Sequence, residues 1–277
     1  MTMRCLYLDL DSTLLGRGAS MLHDGEGNVT IDGVRAVQAC LRAGVEVVLM
    51  SGRRQTQVAE DARLLGQGSY IFEAGACVVL GEEEHWLTGE LLPGELTIAQ
   101  QIERSGAPQM LLEHYAGRLE YHEPWHLERA VSHLFRGLVD ADEADRLLAE
   151  RGHGDLRLVD NGVVKRRSAA LAALAHVRCY HLVPAGASKA AAVAFHRRAR
   201  GYAREHTFAI GDSREDLACA GEVDAFFLVA NALARDPSIA ADLAAQANAR
   251  VTEAGHGRGV YEAVVGTLMG AEASRGP

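Results

Sequence analysis

Lysine is almost missing from this chain of 277 residues: Lys165 and Lys189 are the only two, and the other 26 basic residues are arginine. Long apolar runs are missing too. No stretch approaches the ~20 apolar residues that span a bilayer, and Arg4 is followed at once by a short apolar run ending in acids, unlike a signal peptide. The cysteines Cys5, Cys40, Cys77, Cys179 and Cys219 are odd in number, far apart and never spaced C-x-x-C. That pattern excludes a disulfide framework or a zinc ribbon and leaves reduced core thiols of a soluble, cytoplasmic protein as the expectation. Positive charge is in deficit, with a net charge of −9. Phosphate-backbone binding needs a basic face, so neither nucleic acid nor a membrane is expected as partner. A small anionic substrate stays open, because a pocket can be locally positive inside an acidic protein. Internal repeats and low-complexity segments are absent.

What is present is enough for a packed core: 48% of the residues are hydrophobic, in a chain long enough for two domains or one with an insertion. Arg4 to Leu10 reads as a buried strand, and Gly16 to Asn28 as a loop. Asp32 can cap a helix with Val34, Val37 and Leu41 at helical spacing, and Gly44 stands where a C-terminal glycine belongs. Val45 to Met50 is a second buried strand. Strand, helix, strand at this spacing makes a parallel βαβ unit. A helix over Gln55 to Leu65 and a strand near Tyr70 to Phe72 continue the pattern. It resumes with a helix from Lys189 to Arg204, a strand from Thr207 to Ile210, and a strand from Ala225 to Val229.

The middle differs. Met110–Tyr115 and Leu119–His122 flank Ala116-Gly117-Arg118, and Leu156–Val159 and Val163–Arg166 flank Asp160-Asn161-Gly162; both read as hairpins. Helices are expected over Pro124–Gly137 and Asp142–Arg151, and Glu82–Glu84 as a solvated acidic turn. The economical fold class is α/β: a Rossmann-like parallel-sheet core, residues 1–81 and 185–277, with an α+β cap inserted over 82–184.

Asp9 and Asp11 end the first strand, at the edge where open parallel sheets bind ligands. Carboxylates that close repel one another unless a cation lies between them, and the arrangement suits a hard ion such as Mg2+. Asp212 ends a late strand, with Asp216 one helical turn on, and would complete the cluster. For any one of these acids, a solvated helix cap is the plainer explanation; the two motifs together are hard to obtain by chance. Ser51 and the backbone N–H groups around Gly52 can bind a phosphate oxygen. Lys189 supplies a compact ammonium able to meet both a phosphoryl oxygen and a carboxylate, in a chain that elsewhere uses arginine.

These residues resemble the four motifs of the haloacid dehalogenase superfamily. Asp9-Leu10-Asp11-Ser12-Thr13 matches D-x-D-x-T, Ser51 the second motif, Lys189 the third, and Gly211-Asp212-Ser213-Arg214-Glu215-Asp216 the fourth. The insertion lies where members with a type 2 cap carry theirs. Glu73-Ala74-Gly75-Ala76, Pro184 to Lys189, Val229-Ala230-Asn231-Ala232 and Gly259-Val260 resemble the Cof-like, sugar-phosphate phosphatase branch. Ser12 stands where many relatives have glycine, and Ala74 and Glu215 where asparagine is usual. The resemblance implies a Mg2+-dependent hydrolase of a small phosphorylated metabolite. Asp9 would be the nucleophile that forms an aspartyl phosphate, and Asp11 the acid and base. Ser51, Gly52 and Lys189 would bind phosphate; Asp9, Asp11 (through its carbonyl) and Asp212 would hold the metal, with Asp216 behind them. Cap residues Glu113, His122 and Arg166, with His114, Arg118 and Trp125 in a wider set, are the candidates for substrate contact. A phosphomutase or phosphotransferase on the same scaffold, or a ligand-binding homologue without turnover, are the alternatives.

His122-Glu123-Pro124-Trp125-His126 matches H-E-x-x-H, but zinc binding needs both histidines on one helix. Pro124 suits a first helical turn and leaves His122 outside it. The pairs Gly16/Gly18 and Gly25/Gly27 do not complete G-x-G-x-x-G and read as loop.

Overall fold

The computed structural model describes residues 3–164 and 168–273. In chain order the first elements are β1 (Cys5–Asp9), α1 (Asp32–Arg42), β2 (Glu46–Met50), α2 (Gln55–Leu64), β3 (Ser69–Phe72), β4 (Cys77–Leu80) and β5 (Glu83–Trp86). Then come α3 (Ile98–Ser105), α4 (Ala107–His114), β6 (Leu119–Tyr121), β7 (His133–Gly137), α5 (Ala141–Glu150), β8 (Leu156–Val164) and β9 (Val177–Pro184). The chain continues with α6 (Lys189–Ala199), β10 (Thr207–Gly211), α7 (Arg214–Leu217), β11 (Ala225–Leu228), α8 (Asn231–Arg235), α9 (Ile239–Ala244), β12 (Ala249–Val251) and α10 (His256–Ala273).

Eight strands form one sheet in the order β12-β11-β10-β1-β2-β3-β4-β5. The strands from β12 to β3 are parallel neighbours, while β4 and β5 are added antiparallel. Both faces are covered, which is why the central strands read as unbroken apolar runs. Leu6 and Leu8 of β1 pack with Ala36, Val37 and Cys40 of α1 and with Val260 and Val264 of α10. Cys5 and Tyr7 face the other way, onto Ala192 and Val193 of α6 and Leu217 of α7. Each such side chain removed from water contributes roughly 1.5–3 kcal/mol.

A second sheet, β6-β7-β9-β8, is antiparallel. Its own core gathers Ile98, Ile102, Leu111, Phe135, Leu148, Leu158 and Leu182. Because β5 pairs with β4, the large sheet runs on to Trp86, past the expected boundary at residue 82.

Several expectations for the middle of the chain are corrected. Met110–Tyr115 is not a strand: Gly106, at φ +81, and Pro108 in the first turn start α4 there. Leu119–Tyr121 pairs instead with β7, which lies where a helix was expected. Asp160-Asn161-Gly162 is no hairpin turn. It sits inside β8 at a register shift against β9, with Gly162 at φ +93, so the extra residues are taken up as a bulge. Glu83 and Glu84 belong to β5, and Asp32 is the first residue of α1 rather than its cap. All five cysteines are buried and unpaired. No helix among the described residues is long and apolar enough to cross a membrane.

Candidate active site

Register decides which side chains meet. Leu8 lies beside Ile210 and Asp9 beside Met50, so Asp9, Ser51 and Asp212 emerge at one rim of the large sheet. Oxygens of Asp9, Asp212 and Asp216 all lie within 4.8 Å of one another, and all three residues are buried. Lys189, 1% exposed at the start of α6, donates from Nζ to Asp9 Oδ1 at 2.7 Å and to Asp216 Oδ1 at 2.6 Å. The other oxygen of Asp216 accepts from Asp212 N–H, Ser213 N–H and Ser213 Oγ at 3.1, 3.0 and 2.6 Å. Asp216 is therefore saturated by protein donors and fixes Lys189 and the Asp212 loop together.

Burial pushes the Asp9 carboxyl well above the usual range; the Asp216 charge adds to this and Lys189 opposes it. Burial alone would lower Lys189, but Asp216 and Asp9 outweigh it and hold the ammonium charged. Asp212 is pushed up to about 6 by burial, against the pull of Arg235. Three buried acids beside one ammonium and one guanidinium, Arg235, still leave an excess of oxygen-borne negative charge, the condition that favours a hard divalent cation.

Arg235, from α8, escaped the sequence reading. It donates to Asp212 Oδ2 and, at 2.8 Å, to Ser12 Oγ. Its only signal was its place just after Val229-Ala230-Asn231-Ala232. Ser12 has φ +65, the left-handed conformation that favours glycine. Asn231 Nδ2 on Ser12 O, at 2.8 Å, and the Arg235 bond hold the strained loop. Ala74 has φ +57, a region that asparagine tolerates better than alanine.

The carboxylate of Asp11 stands apart from the three-acid group. Arg53 grips it with two bonds of 2.7 Å and is itself backed by Asp61 at 2.9 Å. Ser51 is buried and its Oγ accepts from Arg53 N–H at 3.2 Å. A Cβ on Gly52 would lie 2.8 Å from His181 Nε2 and 3.2 Å from Asn161 Nδ2, so β9 and β8 overhang this loop. Neither residue was expected from the sequence. His181 is held neutral first by burial and then by the charge of Arg129.

The two sheets are joined through Glu73, fully buried, whose carboxylate accepts from the N–H groups of Ala130, Val131 and Ser132. Arg129 also reaches the Gly52 carbonyl. Arg157 of β8 pairs with Glu215 at 3.3 Å, whose other oxygen accepts from Lys189 N–H at 3.1 Å. Glu215 therefore ties the small sheet to the start of α6, a link asparagine could not make by charge.

Of the expected substrate residues, His122 is buried and lies near enough to His181 to influence it. Glu113 is exposed and bonds Gln109 within α4 at 2.8 Å. Arg166 lies outside the described residues. In the wider set, His114 and Arg118 both lie against the Tyr115 ring, and Trp125 is exposed. His122 to His126 form a turn, not a helix, so the H-E-x-x-H geometry is absent. A cleft of about 640 Å³, lined by Arg54, Glu73, Glu103, Tyr121, Glu128 and Arg129, lies at the joint of the two sheets and does not include Asp9, Asp212 or Asp216.

No protein-family model matches the chain. It is 26% identical over 268 residues, 95% of each chain, to a phosphoglycolate phosphatase of Methanoculleus marisnigri. Among solved structures it resembles the sucrose-phosphatase of Synechocystis, in complex with sucrose and phosphate. That match has a TM-score of 0.63 and 14% identity, and covers 96% of this chain and 98% of the other. A haloacid dehalogenase-like hydrolase from Bacteroides thetaiotaomicron matches with a TM-score of 0.61 at 17% identity, covering 96% of this chain and all of the other. The parallel sheet, its strand-end acids and these likenesses agree: the chain has the fold of the haloacid dehalogenase-like hydrolases.

Proposed function

We propose that the chain is a phosphatase that hydrolyses a small phosphorylated metabolite, a phosphosugar or similar compound, through a phosphorylated Asp9. The observation that carries this is Lys189, bound at once to Asp9 and Asp216 beside Asp212. A buried ammonium fixed by two acids is poised to meet phosphoryl oxygens without reorganising. The named phosphatases among the similar proteins support the same activity.

The donor set fits Mg2+: buried carboxylate oxygens with more negative charge than Lys189 and Arg235 cancel. Asp9, Asp212 and the main-chain carbonyl of Asp11 would hold it, and when bound it neutralises phosphoryl oxygens and the acids themselves. Asp9 attacks phosphorus, forming the O–P bond as the bond to the leaving alcohol breaks. Asp11 gives that alcohol its proton and afterwards takes one from the attacking water, which releases phosphate and restores Asp9. Asp11 must first leave the grip of Arg53. The small sheet and its helices act as a cap, with Asn161 and neutral His181 suited to a polar leaving group. A cytoplasmic setting with reduced thiols accords with this chemistry.

The test is phosphate release from p-nitrophenyl phosphate and a panel of phosphorylated metabolites, with and without Mg2+. Asp9→Asn should lose at least about a thousandfold in kcat; wild-type turnover in that variant would refute the nucleophile.

A further inference from the structure

A second cluster lies at the opposite end of the large sheet. Cys5 opens β1 and Glu46 opens β2, and the register sets them side by side, so both side chains leave the sheet on one face. His196, two turns along α6 from Lys189, packs over them. A thiol sulfur, a ring nitrogen and a carboxylate oxygen here all lie within 4.8 Å of one another. Asp9 is four residues further along β1, about 13 Å at strand rise, so this cluster is separate from the acids described above.

Its polar atoms are arranged unlike an ordinary hydrogen-bond network. Cys5 and His196 are fully buried. His196 Nε2 is buried without a hydrogen bond, 3.7 Å from Glu46 Oε1, beyond bonding reach. The opposite ring nitrogen, Nδ1, lies 2.9 Å from the Tyr7 hydroxyl. Glu46 is steadied by Ser69 Oγ and the Tyr202 hydroxyl, each at 2.8 Å, and by Arg200. A partner on the second ring nitrogen and hydrogen bonds to the carboxylate are what metal ligands normally carry behind them.

We propose that Cys5, Glu46 and His196 supply three ligands of a zinc site that joins β1 and β2 to α6. Thiolate, imidazole and carboxylate together select zinc over magnesium. With zinc–ligand bonds of about 2.0–2.3 Å, tetrahedral donors stand about 3.3–3.8 Å apart. The histidine and glutamate already have that spacing, and the sulfur lies within 4.8 Å of both. Binding replaces the Cys5 S–H bond with an S–Zn bond and releases the proton to solvent. Glu46, the only one of the three with solvent access at 16% side-chain exposure, is the route of entry.

The experiment titrates the full chain, stripped of metal by a chelator and then saturated with Mg2+, with Co2+. A thiolate-to-cobalt charge-transfer band should grow to one equivalent and vanish on adding Zn2+. It should be lost in Cys5→Ser and kept in Asp212→Asn, whose change lies among oxygen donors only. Absence of the band in the wild type, or a band of full intensity in Cys5→Ser, would overturn the proposal. Glu46→Gln, isosteric and at the edge of the site, is the check should Cys5→Ser not fold. It should weaken Co2+ binding by at least about tenfold, and unchanged affinity would equally overturn it.

Discussion

At the rim of the large sheet, Asp9, Asp212, Asp216 and Lys189 are all buried and each depends on another for its charge. In the small sheet, Arg136, Arg157 and Arg178 pair with Glu120, Glu215 and Asp236; Arg157 and Glu120 keep contact with water, while the other four are buried at 7–9% exposure. The difference is in what a deletion leaves behind. Removing one member of a buried network strands a charge in low dielectric, whereas water takes over from a lost partner near the surface. Catalysis needs the first kind of site, because fixed charges there act on a substrate without reorganising.

The largest effect is expected for Lys189→Met. It leaves Asp9 and Asp216 facing one another and should lower stability by about 3–5 kcal/mol in urea titration, with phosphatase activity lost. Asp216→Asn should recover part of that stability in the double variant and none of the activity. Recovery of turnover would contradict the role of Lys189. Gly75→Ala comes next. Gly75 has φ +89 and its added Cβ would lie 2.1 Å from the Ser188 carbonyl at the start of α6, so a loss of about 2–4 kcal/mol is expected from strain and overpacking. A thermal midpoint equal to wild type would show that α6 is not pinned there.

Asp236 sharpens the comparison through pH. Burial raises its carboxyl, but Ser238 and Arg178 outweigh that and hold it at about 2, below its ordinary 3.8. A depressed folded value means the stabilisation is present above about pH 4 and lost as pH falls toward 2, about 2 kcal/mol in all. Urea midpoints measured from pH 6 to pH 2.5 should fall less steeply in Asp236→Asn than in the wild type. The smallest effect is expected for Arg157→Ala, under about 1 kcal/mol; a loss as large as that of Lys189→Met would erase the distinction between the two regions.

The rim was legible in the sequence because parallel strands carry their functional acids at their C-terminal ends. Asp9, Ser51 and Asp212 each follow an apolar run, and register alone aligns them. The small sheet was harder to read. Its strands pair across long separations, β6 with β7 and β7 with β9, and β9 (Val177–Pro184) was overlooked although it is buried throughout. Asn161-Gly162 has hairpin chemistry but was absorbed as a bulge, since β9 offered a better partner than the chain folding back on itself. Arg235, Arg53 and His181 reach the site by tertiary contact, and no local pattern announces such contacts.

The most direct measurement is to quench turnover of radiolabelled phosphomonoester in acid and map the label. It is expected on the peptide containing Asp9, released by hydroxylamine as an acyl phosphate is, and absent in Asp9→Asn. Label on any other residue, or steady phosphate release by Asp9→Asn with no labelled protein, would contradict covalent catalysis at this carboxylate.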